Sequence, residues 1–103
     1  MASGLLGNSA PAATTNTTVY TVPIGKVATF NISLVNTTAT PITFRVGISA
    51  GANPTSAEWI EYDATLQPND VFERTALVAS AAERVVVYGS ASGLAARVYG
   101  FEQ

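Results

Sequence analysis

A chain of 103 residues that is 48% hydrophobic but only 12% charged makes one small domain, too apolar for disorder and too poor in charge for an ordinary solvated surface. Five basic against seven acidic residues leave a formal net charge of −2, so the field is weak and no basic cluster exists to neutralise nucleic-acid phosphates. The chain has no His and no Cys, which excludes disulfides, thiolate chemistry, imidazole acid–base catalysis and nearly every zinc or copper site.

Residues 1–16, MASGLLGNSAPAATTN, are small, polar and uncharged, with no period of 2 or 3.6. This composition predicts an extended N-terminal arm outside the folded domain, which then spans 17–103. Leu5 and Leu6 are its apolar anchors, expected to dock on a neighbouring subunit. Met1 to Gly7 carries no basic residues ahead of an apolar stretch, and no run approaches a membrane-spanning length, so synthesis in the cytoplasm and no membrane partner are expected. The triplets at Asn16, Asn31 and Asn36 that fit a glycosylation pattern are read as chance in a chain rich in Thr and Asn.

From Thr17 onward the texture is that of short strands. Thr17 to Val22 ends at Pro23-Ile24-Gly25-Lys26, a turn in which Gly25 takes the left-handed position. Over Val27 to Asn36, the side chains of Ala28, Phe30, Ile32 and Leu34 alternate with Thr29, Asn31 and Ser33. Ile42, Phe44, Val46 and Ile48 repeat the device over Ile42 to Ser49, and the intervening 36–41 segment makes either a hairpin or a crossing between sheets. Further strands are predicted over Glu58 to Asp63, Val71 to Val78, Glu83 to Gly89 and Leu94 to Phe101. A turn is expected at Leu66 to Asp70, and Gly89-Ser90-Ala91-Ser92-Gly93 is read as a hairpin loop. Asn53 and Pro54 could open one helical turn over 54–58. About seven strands at intervals of roughly 8–12 residues predict an all-β antiparallel sandwich, immunoglobulin-like or jelly-roll-like.

Candidates for chemistry are few. Glu61 and Asp63 would share one face of a strand about 7 Å apart, near Glu58, a spacing that could hold Ca²⁺ or act as a glycosidase pair. Charged residues on the wet side of a half-buried strand look the same, and no calcium-loop pattern is present. A Ser or Thr nucleophile would have only Lys26 as base, and no phosphate-binding glycine motif occurs. The expectation is no enzyme, no catalytic residue, no metal and no cofactor. Trp59 and Tyr62 could stack on sugars, but strict alternation puts them on opposite faces of their strand, which favours core or interface filling.

Val85-Val86-Val87-Tyr88 is apolar on both faces and Val98-Tyr99-Gly100-Phe101 nearly so, which makes Val86, Tyr88, Tyr99 and Phe101 candidates for a partner surface alongside Leu5 and Leu6. With one Lys in the whole chain, the usual charged guards on sheet edges are missing, and a surface occupied by specific partners is expected.

Over Ala12-Ala13-Thr14-Thr15-Asn16-Thr17-Thr18-Val19-Tyr20-Thr21-Val22-Pro23 the chain resembles small virion structural proteins of tailed bacteriophages, especially those infecting cyanobacteria and other aquatic bacteria. The likeness extends through Val27 to Asn36, through Glu58-Trp59-Ile60-Glu61-Tyr62-Asp63, and to the ending Val98-Tyr99-Gly100-Phe101-Glu102. The resemblance implies a β-sandwich particle component with no catalytic residues to carry over. The expected function is therefore a virion structural protein, foremost a capsid decoration or cement protein that binds the major capsid protein as a homo-oligomer, first a trimer. A tail, neck or fibre-associated module, or a carbohydrate-binding adhesive module using Trp59, Tyr62 or Tyr88, are the alternatives.

Overall fold

The computed structural model describes residues 3–103. Eight strands run β1 (Ser3–Ser9), β2 (Thr17–Thr21), β3 (Ala28–Asn36), β4 (Ile42–Ser49), β5 (Trp59–Leu66), β6 (Val71–Ala79), β7 (Arg84–Gly89) and β8 (Leu94–Glu102). They form two antiparallel sheets of four, a front sheet in the order β1-β8-β3-β6 and a back sheet in the order β2-β7-β4-β5. The pairings β1 with β8, β2 with β7, β3 with β6 and β4 with β5 are nested, as in one long hairpin rolled up on itself. This is the jelly-roll arrangement, which decides against the immunoglobulin order.

Alternation builds the core. In β3, every second residue from Ala28 to Leu34 is buried while the residues between are half-covered. Phe30, Ile32, Leu34, Phe44 and Val46 meet Val85, Val87, Leu94 and Val98 between the sheets, with Ile48 packed at the margin as its parity predicts. The Phe44 and Phe72 rings lie 4.8 Å apart in a tilted pair. Asn36 ends β3 fully buried and fully bonded: its Nδ2 donates to the Thr40 and Leu66 carbonyls, and its Oδ1 accepts from the Thr38 amide and hydroxyl. That burial removes Asn36 as a glycan acceptor. The 37–41 segment it holds is a crossing from front to back sheet.

The loop 90–93 also crosses between sheets, so it is not the hairpin expected there; β7 and β8 belong to different layers. Nor is there a helical turn at 54–58. Glu58 instead folds this loop on itself: its amide donates to the Thr55 carbonyl, while its carboxylate accepts from the Thr55 and Ala50 amides. Those amides, Thr55 first, hold the Glu58 carboxyl below the usual carboxylate range.

The largest correction falls on the N terminus. Residues 3–9 are not an arm leaving the domain; they form β1, paired with β8 from Ser3 opposite Phe101 to Ser9 opposite Ala96. Residues 1 and 2 of the expected arm lie outside the described residues. The link to β2 is held too: Ala13 bridges Gly89, Thr14 donates its amide to the Gly89 carbonyl at 2.8 Å, and Asn16 donates to Asn53. The described residues therefore make one unit, and the boundary expected at residue 16 does not exist. Gly4, with φ of 92°, and a bulge between Leu5 and Gly7 break the period, which hides the strand from any periodicity argument. A Cβ at Gly7 would lie 2.3 Å from the Val19 carbonyl oxygen, so only glycine lets β1 settle this closely on the edge of β2.

Candidate functional site

On the front sheet, β8 points Leu94, Ala96 and Val98 inward, and thus Ala95, Arg97, Tyr99 and Phe101 outward. Cross-strand register extends this outer face sideways. Leu5 stands opposite Tyr99 and Ser3 opposite Phe101; Thr29 lies between Phe101 and Val78. Leu5, Tyr99, Phe101 and Val78 thus occupy neighbouring positions at one end of a sheet face left uncovered by the described residues, with Leu5 48%, Phe101 38% and Val78 59% exposed. The Tyr99 hydroxyl donates to Glu73 Oε2 at 2.9 Å, which orients the ring and raises the Tyr99 pKa. Beside this patch a shallow depression of about 500 Å³ opens between Asn8, Ser33, Val35 and Arg97.

Three of the six predicted partner residues, Leu5, Tyr99 and Phe101, are therefore brought together. The other three are not. Leu6 sits at the β1 bulge and packs against the chain's own core. Val86 faces the outside of the back sheet, yet it is fully buried. In register it neighbours Gly47, and an added Cβ on Gly47 would meet Pro54 at 2.9 Å and Trp59 at 3.1 Å, so the 50–58 segment already covers this part of the sheet. Tyr88 lies on the back sheet opposite Arg45, away from the front patch.

The back sheet carries a second constellation that alternation did not foresee. Two register shifts in the β4–β5 pairing place Trp59 opposite Gly47, Glu61 opposite Val46 and Ala64 opposite Phe44, so β5 holds extra residues and the parity argument fails. Asp63, in the left-handed region with φ of 52°, marks one of these bulges. Trp59 and Tyr62 consequently meet on one face, rings 5.7 Å apart and edge to face. The Arg45 guanidinium lies 4.2 Å from the Tyr62 ring and 4.4 Å from the Tyr88 ring, and its Nε donates to Asp63 Oδ1 at 2.6 Å. Asp63 raises the Arg45 pKa further, so this cation is permanent.

The same bulges disperse the acidic residues. Asp63 turns to Arg45, Glu61 pairs at 3.4 Å with Arg74 from the facing edge of the front sheet, and Glu58 caps its own loop. Glu61 and Asp63 do not share a site, and the described residues contain no group of three acids able to hold a metal. Among the described residues no helix is long and apolar enough to cross a membrane. No family model, curated protein or solved structure matches the chain.

Proposed function

We propose that the chain is a bacteriophage virion structural protein, a capsid decoration protein that docks through the outer face of its front sheet. The observation that carries this reading is the grouping of Leu5, Tyr99, Phe101 and Val78 on adjoining rungs of a face that nothing among the described residues covers. A charged share of 12% and a single Lys leave the uncharged edge strand β1 beside it without the usual guards against association. The resemblance of four segments to phage virion proteins points the same way. The jelly-roll topology is shared by viral capsid domains but equally by lectins and cupins, so it does not choose between them.

The mechanism is mechanical. Docking removes aromatic and aliphatic surface from water at many equivalent positions, and each ~1.4 kcal/mol gained per site is tenfold in occupancy. Serine at Tyr99 and Phe101 together leaves the core strands intact, because both side chains point outward. In a pull-down onto particles assembled without the protein, the doubly substituted form is expected to lose binding while keeping its circular dichroism spectrum. Undiminished binding would overturn the assignment of this face. Copy number on purified virions then separates the locations: hundreds of copies fit decoration of the shell, and a handful fits tail or neck.

A further inference from the structure

We infer that the back sheet carries a binding site for a neutral saccharide, with a pyranose ring stacked against Trp59 and Tyr62. An open groove of about 450 Å³ lies between Ser56, Trp59 and Tyr62, within the range of small-ligand sites. Its aromatic walls are fixed before any ligand arrives. Trp59 rests on Gly47 where no side chain could fit, Tyr62 is braced by Arg45, and Arg45 is held by Tyr88 and Asp63.

The chemistry of the walls selects the ligand. The cluster's one cation and one anion are paired with each other, so the site offers no free charge to an anionic sugar, a phosphate or a nucleic acid. A ligand cation finds the space between Tyr62 and Tyr88 already filled by the Arg45 guanidinium. What remains is an apolar aromatic surface, with Tyr62 57% exposed and the Ser56 hydroxyl lining the same groove. A pyranose has this dual character, one face of C–H bonds and a rim of hydroxyls. The site lies on the opposite sheet from the proposed docking face, so a docked protein would keep it available, and the two readings stand or fall separately.

Trp59 is the chain's one tryptophan and serves as the reporter. The full chain is titrated with neutral trisaccharides of gluco, galacto, manno and N-acetylglucosamine type, with sialyllactose as the anionic comparison and octaproline as a competing stacking ligand. At least one neutral trisaccharide is expected to shift Trp59 emission saturably with a millimolar Kd, and sialyllactose to bind more weakly. Tyr62→Ala should weaken that binding about tenfold or more, and Tyr99→Ser should leave it unchanged. If Tyr62→Ala fails to fold, Tyr62→Leu removes the ring and keeps the bulk. The inference is overturned if no neutral trisaccharide saturates, if the ring-less variant binds equally well, or if octaproline alone produces the response.

Discussion

Tyr20 and Glu102 put a phenol and a carboxyl together where β2 of the back sheet and β8 of the front sheet approach each other, both buried and joined by a 2.5 Å hydrogen bond donated by the phenol. Burial first, and the Glu102 hydrogen bond second, push the Tyr20 pKa well above that of an ordinary phenol. The folded protein therefore keeps its proton where the unfolded chain, ionising near pH 10, gives it up. The stabilisation is complete below about pH 10 and declines as pH rises above it. Tyr20→Phe is expected to cost about 1–3 kcal/mol at neutral pH, because Glu102 loses its donor, and to flatten the alkaline fall in melting temperature. Thermal melts from neutral to strongly alkaline pH check both effects. Asn36 is the second such residue. Asn36→Asp turns two donors into acceptors facing the Thr40 and Leu66 carbonyls, an expected loss of about 3 kcal/mol or more. It should melt below Asn36→Ala at pH 7, with the gap narrowing as acid protonates the new carboxyl.

At the scale of elements, β3 and β4 were legible because every second side chain from Phe30 to Leu34 and from Ile42 to Ile48 is apolar, and burial follows that parity through Val46, beyond which Gly47 and Ser49 are buried and Ile48 is half-buried. Strand β1 was not legible. Ser, Gly and Asn have little intrinsic preference for a strand, and its order comes from pairing with β8 at the other end of the sequence. The Trp59 and Tyr62 face was misread for a related reason: bulges depend on how β5 meets β4, and alternation counted within one strand cannot register them. The exposure of the expected partner residues divides along the same line: Tyr99 and Phe101 face outward as alternation in β8 requires, while Val86 looked available until the loop over Gly47 was placed. Removing residues 2–9 should no longer be benign, as it would be for a free arm. The lost backbone pairing and the uncovered Leu6 site predict a fall of about 2–4 kcal/mol. Urea unfolding checks it, and an unchanged midpoint would mean that β1 contributes little.

For the molecule as a whole, two sheets with different outer faces give the chain two separate surfaces. One is broad and apolar around Tyr99 and Phe101, the other narrow and aromatic around Arg45. Association of free chains, expected as a trimer, would appear as an oligomer in light scattering at micromolar concentration. Because the Tyr99 and Phe101 face is the one proposed to meet the particle, Tyr99→Ser with Phe101→Ser should leave that oligomer intact, as should substitution at Tyr62. A wild-type monomer would confine association to the particle surface.

The nested pairing also brings the two ends of the described chain side by side, since Ser3 lies opposite Phe101 at one edge of the front sheet. Joining them through a short flexible linker and opening the chain within residues 50–53 would leave every strand pair in place. In such a circular permutant β1 and β8 become neighbours in sequence, and their ladder closes across a few residues instead of nearly the full length. Refolding limited by that closure should speed up in stopped-flow experiments, with the cost transferred to the β4–β5 pair, whose strands then lie at opposite ends of the chain. The same geometry means that a peptide displayed from either end would emerge at the same edge, next to the aromatic patch of β8.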